Sequence, residues 1–220
     1  MRIVGTSDMH GRLGGVAVPE GDVLVLAGDV LPNFVSRNRK VDAQRQEAAL
    51  VELDALLGRL PHRHVVLVAG NHDWLFQWNR PAIARLGPKV HYLEDSGCEL
   101  DGVRFWGSPW QPEFCDWAFN LPRKGEELAR AWAKIPEGTD VLVTHGPPFG
   151  VLDRPWGKRD PVGCELLRER VEAIAPRAHF FGHIHGDYGR LRVGPTEFLN
   201  VALCDEHYEP VQPPLVLDLA

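Results

Sequence analysis

The sequence lacks several features that mark other classes of protein. Its 220 residues contain no apolar run near the roughly 20 residues that a membrane-spanning helix needs. Positive charge is not in excess: a formal net charge of −6 argues against a surface that coats nucleic acid, although a small basic site stays open. The N-terminal stretch MRIVGTSD enters a strand-like run at once, so we expect no signal peptide.

Cysteine is also scarce. Four cysteines are widely spaced, and none forms a C-x-x-C pair: Cys98, Cys115, Cys164 and Cys204. This usage predicts reduced, mostly structural thiols in a cytoplasmic protein, and leaves a disulfide open.

Five short apolar runs predict five strands, each buried on both faces. They are segments 2–6, 22–27, 64–69, 140–145 and 178–182. Helical patterns fall between them, at 41–60, 124–135 and 163–175. Strands that alternate with helices predict a layered α/β domain. Since the chain has no repeat, low-complexity tract or linker, we expect one domain over residues 1–220.

Two regions depart from this alternation. Residues 87–123 are rich in Pro, Gly and Trp, which predicts one or two hairpins and a long loop. The C-terminal third contains three short strand-like runs separated by turn residues, YGRLRVG, TEFLNVA and PPLVLDL. These runs predict an antiparallel meander.

Polar side chains follow each of the five predicted strands directly. They are Asp8 and His10, Asp29, Asn71 with His72 and Asp73, His145, and His183 with His185. In open α/β sheets, ligands bind outside the carboxyl ends of the strands. Any one of these residues alone is more often a turn or cap residue. Five such coincidences together favour a shared site.

The candidate ligands offer carboxylate, imidazole and one amide, but no thiolate. This set suits cations such as Mn²⁺, Fe, Co or Zn and disfavours a structural cysteine-type zinc site. These are more ligands than one ion ordinarily takes from a protein. Two ions that share a bridging carboxylate are therefore the economical arrangement. Two-metal sites typically carry out in-line displacement at phosphorus.

The blocks D-x-H, GD, GNHD, TH and GHxH occur in that order, and this series resembles the calcineurin-like metallophosphoesterase superfamily. Further segments, among them GSPWQPEF, FNLPRKG and VGCELL, resemble the branch that contains the vertebrate metallophosphoesterase-domain proteins and their bacterial relatives. That branch is associated with hydrolysis of cyclic nucleotides, including 2′,3′-cyclic nucleotides. The resemblance implies a four-layer α/β/β/α sandwich of two mixed sheets flanked by helices.

The resemblance also implies roles for nine residues. The ligands of a first metal would be Asp8, His10 and His185. Those of a second metal would be Asn71, His145 and His183, with Asp29 bridging the two. His72 would face the leaving-group oxygen as a proton donor or charge-stabilising donor. Asp73 would orient His72, although a helix N-cap or turn role is an equal alternative. Some relatives have glycine where this chain keeps His183, so we expect an intact dinuclear centre.

These roles imply a phosphodiesterase that hydrolyses small phosphodiesters or nucleotides, 2′,3′-cyclic ones favoured, by attack of a metal-bridging hydroxide. The cofactor would be two divalent ions, with Mn favoured and Fe, Co, Zn and Ni as alternatives. A broad phosphomonoesterase or a nuclease would use the same site. A non-enzymatic scaffold is disfavoured because every ligand position and His72 are present. No membrane contact or extended nucleic-acid track is expected, and the oligomeric state stays open.

Two further groups bear on the substrate. One is an aromatic stretch, Trp106, Trp110, Phe114, Trp117 and Phe119, which could stack a nucleobase or could pack a loop-rich subdomain or subunit contact. We favour packing for most of its members, with Trp110 in the PWQP turn as the strongest stacking candidate. The other group is basic: Arg123, Lys124, Arg154, Lys158 and Arg159. These residues could meet phosphate, but solvated surface is favoured for most of them.

Overall fold

The computed structural model describes residues 1–33 and 39–219. Within these ranges the strands are β1 (Arg2–Thr6), β2 (Val23–Ala27), β3 (His64–Val68), β4 (Val90–Tyr92), β5 (Ser96–Leu100), β6 (Val103–Ser108), β7 (Gln111–Pro112), β8 (Asn120–Leu121), β9 (Val141–Thr144), β10 (Ala178–Phe181), β11 (Gly189–Val193), β12 (Thr196–Asn200) and β13 (Leu215–Asp218). The helices are α1 (Arg39–Arg59), α2 (Trp74–Trp78), α3 (Glu126–Ala133) and α4 (Glu165–Ile174). Short 3₁₀ turns span Leu13–Gly15, Arg80–Arg85 and His185–Asp187.

Eleven of these strands form two mixed sheets, and β7 and β8 form a separate pair. The first has the order β13-β1-β2-β3-β4, in which β1 to β4 are parallel and β13 is antiparallel to β1. The second has the order β11-β12-β10-β9-β6-β5, with a parallel centre and an antiparallel strand at each edge. All five buried strands predicted from the sequence are present, three in the first sheet and two in the second.

Side-chain alternation along the strands divides the core into layers. In β2, Val23 and Val25 face an apolar layer between the two sheets, whereas Leu24 and Leu26 face the layer under α1. The second sheet has a matching outer layer, in which β9 and β10 pack against α3 and α4. The predicted four-layer α/β/β/α sandwich is therefore confirmed.

The predicted C-terminal meander is wrong in its third strand. β11 and β12 do form an antiparallel hairpin, but β12 pairs in parallel with β10, and β13 crosses to the first sheet. There Arg2 lies opposite Asp218, and the N-terminal ammonium donates a hydrogen bond to the Leu219 carbonyl. The physical reason is that β1 would otherwise be an unpaired edge, and β13 covers it.

Residues 87–123 contain one hairpin, formed by β5 and β6, as the composition predicts. β4 instead extends the first sheet beside β3. The long loop that follows β6 is closed by β7 and β8, a two-residue parallel pair in which Gln111 lies opposite Asn120.

Parallel strands bring the chain segments after their carboxyl ends to one edge of each sheet, and these edges meet. The backbone N–H of Ser7, after β1, donates to the carbonyl of Val201, after β12. The N–H of Asp8 donates to Gly28, and that of Gly182 donates to His145. The five predicted strand-end clusters therefore lie at one shared edge. No helix within the described ranges is both long and apolar enough to cross a membrane.

One buried histidine lies away from this edge. His179 of β10 packs beside Phe181 and Phe198, with ring centroids 5.0 and 5.8 Å away, and its Nε2 lies 2.8 Å from Thr144 Oγ1. Burial lowers the pKa of His179 to about 3. The folded protein thus keeps this imidazole neutral.

This burial predicts acid sensitivity. Between pH about 6.5 and 3, the unfolded chain binds a proton at His179 that the folded chain does not. The free energy of unfolding should therefore fall by about 1.4 kcal/mol per pH unit through this residue as pH decreases. Urea unfolding with chelator should show a shallower pH slope for His179→Gln than for wild type. The exposed His207→Gln is the control, and equal slopes in all three proteins would contradict the assignment.

Candidate metal centre

Side chains from both sheets converge where the strand ends meet. His145 Nε2 lies 2.8 Å from Asn71 Oδ1 and 3.4 Å from Asp29 Oδ2. His185 Nε2 lies 3.2 Å from Asp8 Oδ1. Asp8, Asn71 and His145 are completely buried, and Asp29 is 2% exposed. The structure therefore brings buried carboxylates and imidazoles into direct contact.

Among the residues that the structure describes, two groups of three side chains have potential ligand atoms within 4.8 Å of one another: Asp8, His10 and His185, and Asp8, Asp29 and His145. The first group is the set that the sequence predicts for a first metal. The second group contains the predicted bridge, Asp29, with His145, and it shares Asp8. The His183 ring lies edge-on to that of His145, with centroids 5.0 Å apart. All seven predicted ligands thus form one continuous patch.

The donor atoms fit a divalent cation. Within the part of the chain that the structure describes, both ring nitrogens of His10 are buried without a hydrogen-bond partner. An unpaired buried polar atom costs about 1–3 kcal/mol, so native structures seldom leave one without an ion or water. Imidazole nitrogens beside carboxylate oxygens are the ligands that borderline and hard divalent cations take.

Two imidazoles are oriented by backbone carbonyls. His145 Nδ1 lies 2.9 Å from the Ala27 carbonyl oxygen, and His185 Nδ1 lies 2.8 Å from that of Asp205. A ring whose Nδ1 faces a carbonyl directs its Nε2 to the opposite side, the usual orientation of metal-binding histidines.

Glycines let the backbone approach the carboxylates. A Cβ added at Gly182 would lie 1.9 Å from Ser7 Oγ and 2.1 Å from Asp8 Oδ2. One at Gly70 would lie 2.2 Å from Asp29 Oδ1. Neither position has room for a side chain, which explains these two glycines.

The predicted ligands themselves adopt an uncommon backbone conformation. Four of them have positive φ values: Asp8 (52°), His10 (46°), Asp29 (52°) and His183 (68°). Left-handed conformations in residues other than glycine cost free energy and cluster at functional sites. The two histidines of the GHxH block also lie beyond the strand, since β10 ends at Phe181. Turn geometry therefore aims these rings, and simple strand alternation does not. Ile184 between them is buried.

The electrostatics separate the site into charged and neutral groups. Burial opposes ionisation of Asp8 and Asp29, but His185 and His145 respectively outweigh it and hold the pKa of each carboxyl well below its ordinary value. Burial likewise opposes protonation of His145 and His185, yet their carboxylate partners raise the pKa of each to about 9.

Burial lowers the pKa of His10 to about 4 and that of His183 to about 3. Near neutral pH these two rings therefore have free lone pairs. The protons on His145 and His185 neutralise the carboxylates, and a divalent cation would displace them.

His72 and Asp73 differ in their surroundings. The backbone N–H of His72 donates to Asp29 Oδ1 at 2.7 Å, and its ring lies between His10 and Trp117, with centroids 5.2 and 4.6 Å away. The carboxylate of Asp73 instead accepts three backbone N–H groups, from Val30, Leu31 and Gly70.

The bonds from Val30 and Leu31 tie the loop after β2 to the loop after β3, and the bond from Gly70 lies within the latter loop. Burial raises the pKa of Asp73 to about 7, and the nearby charge of Asp29 adds to the effect. The turn-residue interpretation of Asp73 is therefore favoured over an orienting contact with the His72 ring.

A cavity of about 480 Å³ opens above these groups. Its floor contains Asp29, Asn71, His72, His183 and His185. One wall is the loop closed by β7 and β8, and the other is the segment 155–164. The volume lies in the range of pockets that enclose small organic ligands.

The aromatic stretch divides between this cavity and the core. Phe114 and Trp117 line the cavity. Trp110, the strongest candidate from sequence, does not: its indole N–H donates to the Asp95 carboxylate at 3.1 Å, and its ring packs against buried Phe119. The prediction for Trp110 is therefore wrong, because β7 turns the chain so that Trp117 reaches the site instead.

Two aromatic residues of the lining were missed by the sequence reasoning, Trp156 and Tyr208. Trp156 is 75% exposed at the cavity mouth. The sequence feature that could have identified Trp156 is its position as a bulky apolar residue between two basic residues of a Pro/Gly-rich turn. Tyr208 lies in a polar stretch that carries no motif.

Of the basic runs, Arg123 and Lys158 line the cavity. The guanidinium of Arg123 donates to the carbonyls of Val162 and Gly163, so it holds the second wall in place.

Comparison with known proteins agrees with this geometry. The family model "Calcineurin-like phosphoesterase" matches residues 1–187. Metallophosphoesterase domain-containing protein 1 of Homo sapiens is 38% identical over 246 aligned residues, which cover 99% of this chain and 71% of the human protein. A UPF0046 protein of Caenorhabditis elegans is 36% identical over 230 residues, covering 98% of this chain and 74% of the relative.

Solved structures support the same fold. The protein TT1561 of Thermus thermophilus aligns with a TM-score of 0.54 at 15% identity, covering 90% of this chain and 88% of that one. Another crystal structure aligns with a TM-score of 0.69 at 17% identity, covering 90% and 89%. The chain belongs to the calcineurin-like phosphoesterases, a family of phosphoester hydrolases.

Proposed function

We propose that this protein is a phosphodiesterase that uses two divalent cations to hydrolyse small phosphodiesters. The observation that carries the proposal is the pair of overlapping carboxylate–imidazole groups, from which Asp29 and His185 reach the lining of one cavity. Asp8, His10 and His185 would hold the first cation, and Asn71, His145 and His183 the second. Asp29 would lie between them, since its charge acts on both His10 and His145. Mn is the favoured metal, with Fe, Co, Zn and Ni as alternatives.

Bound divalent cations supply positive charge that stabilises a phosphoryl transition state, and they lower the pKa of water. The chain contributes two buried carboxylates, Asp8 and Asp29, to the proposed centre, so two dications would leave the centre net positive. A phosphodiester carries one negative charge and is attracted to such a centre.

His72 is the proposed proton donor to the leaving oxygen. It lines the cavity, and its backbone is fixed by the hydrogen bond to Asp29. Its ring is held by neighbouring rings on two sides. This arrangement leaves the imidazole beside the ligands without making it one of them.

Small nucleotides are the favoured substrates, and among them 2′,3′-cyclic nucleotides on account of the resemblance noted in the sequence. The cavity is larger than a phosphate group needs, and aromatic rings line both walls. Trp117 and Phe114 lie on one wall and Trp156 on the other. Aromatic rings of this kind stack nucleobases in a sequence-tolerant way.

The first test is metal-dependent hydrolysis. With Mn²⁺, the protein should cleave bis-p-nitrophenyl phosphate faster than p-nitrophenyl phosphate, and excess chelator should abolish both activities. A panel of 2′,3′- and 3′,5′-cyclic nucleotides then ranks substrates. Absence of metal-dependent hydrolysis on the whole panel would contradict the proposal, and a preference for the monoester would replace it with a phosphomonoesterase.

A second test concerns His72. We expect His72→Ala to retain Mn²⁺ binding, with at most the modest weakening that loss of its ring contact with His10 brings, and to lower kcat by about 10²–10⁴-fold, the usual contribution of a positioned acid or base. Isothermal titration calorimetry and steady-state kinetics measure the two quantities. His207→Ala is the control on an exposed histidine. Near-wild-type kcat on every diester would remove His72 from the mechanism.

A third test concerns Trp156. Loss of one stacking contact, worth about 1–3 kcal/mol, should weaken competitive inhibition by AMP about 5- to 150-fold in Trp156→Ala. Inhibition by ribose 5-phosphate, which lacks the base, should change little. Trp156→Phe keeps an aromatic face and should retain most of the AMP affinity. Equal weakening of both inhibitors by Trp156→Ala would assign Trp156 a purely structural role.

A further inference from the structure

Tyr208 lies in a tightly closed loop beside the candidate metal centre. Cys204 and Pro210 form an antiparallel bridge at the base of this 204–210 loop. Inside it, the Asp205 carboxylate accepts the backbone N–H groups of His207 and Glu209, both at 2.9 Å. The loop therefore holds its own shape through hydrogen bonds from its backbone N–H groups to the Asp205 side chain.

The 204–210 loop is also joined to the centre. The carbonyl oxygen of Asp205 lies 2.8 Å from His185 Nδ1, and it accepts the backbone N–H of Tyr208 at 3.0 Å. Arg12, two residues after His10, forms an ion pair with Glu209 at 2.8 Å. Because both ions of that pair are exposed, the shared carbonyl is the stronger link.

The Tyr208 ring contacts three histidines of the centre. Its centroid lies 4.7 Å from that of His10, 5.7 Å from that of His185 and 6.3 Å from that of His72. All three contacts are edge-to-face, with interplanar angles of 83–89°. Edge-to-face packing fixes the orientation of both rings that take part.

His10 depends on this packing more than the other histidines of the centre. His145 and His185 are each oriented by a backbone carbonyl at Nδ1. His10 has no such partner among the described residues at either nitrogen. The nearest ring to that of His10 belongs to Tyr208, with centroids 4.7 Å apart, and the rings of His72 and His185 lie farther away, at 5.2 and 5.6 Å.

The backbone of Tyr208 supports a functional reason for this residue. Its φ of +61° is left-handed, where a bulky side chain is strained and glycine is not. Strain of this kind persists where a site needs the side chain.

We propose that Tyr208 is a positioning residue that holds the His10 ring, and with it the first cation, through its aromatic face. The proposal rests on the two-cation function above. The ring performs this role, and the hydroxyl is dispensable. Tyr208 therefore sets the affinity of the first site and leaves that of the second site unchanged.

The test measures Mn²⁺ affinity by calorimetry in two backgrounds. His183→Gly disables the second site and isolates the first, and His10→Ala does the reverse. In the His183→Gly background, Tyr208→Gly should weaken Mn²⁺ binding about tenfold, the scale found for groups that orient metal ligands. In the His10→Ala background it should have no effect. Tyr208→Phe should stay within about twofold of the parent in both.

A second ringless variant, Tyr208→Asn, guards against misfolding, because asparagine tolerates a positive φ. Circular dichroism checks the fold of each variant. The inference is overturned if both ringless variants bind Mn²⁺ like the parent, if they weaken both sites equally, or if Tyr208→Phe weakens the first site as much as Tyr208→Gly. If the wild-type protein binds no Mn²⁺, the proposed function fails as well, and that result is distinct from the other three.

Discussion

Complete burial of two carboxylates is the constraint on which the rest of the structure depends. Asp8 and Asp29 are 0% and 2% exposed, and an unpaired buried charge is among the costliest features a protein can contain. His185 and His145 offset this cost in the structure described above. Backbone N–H groups of His72 and His183 also donate to these carboxylates. The fold must therefore deliver imidazoles and amides from several distant segments to one place.

The local geometry follows from that requirement. Parallel strands of two sheets end at a shared edge, which brings the segments together. Glycines then remove the side chains that would collide with the carboxylates, and left-handed turns aim the ligands inward. The free-energy cost of these strained turns is offset by the apolar layers beneath them, where strands such as β2 and β9 are fully buried.

The sequence predicted the parts of this arrangement that are encoded locally. The buried strands are short Val- and Leu-rich runs, and the polar blocks follow them directly, so both were visible without a structure. The partner of β13 was not, because pairing with β1 joins residues more than 200 positions apart and depends on which edge is uncovered. The same limit applies to Trp110 and Trp117, whose exposure is decided by how one loop folds back. Asp73 matches the GNHD block in residue type. Its role became visible only in the structure, where its carboxylate accepts the backbone N–H groups of Val30 and Leu31.

Each of the two groups of candidate ligands contains residues from both sheets. Asp8, His10 and Asp29 extend from the first sheet, whereas His145 and His185 extend from the second. A cation in either cluster would therefore cross-link the two layers of the sandwich at one edge, while strands such as β2 and β10 join the same layers through apolar side chains. Metal binding would then hold the two sheets together at this edge, and the apolar side chains between the sheets would set the distance between the ligands that each sheet contributes. Substitutions that repack these apolar side chains, far from any substrate, would therefore change the activity of the site.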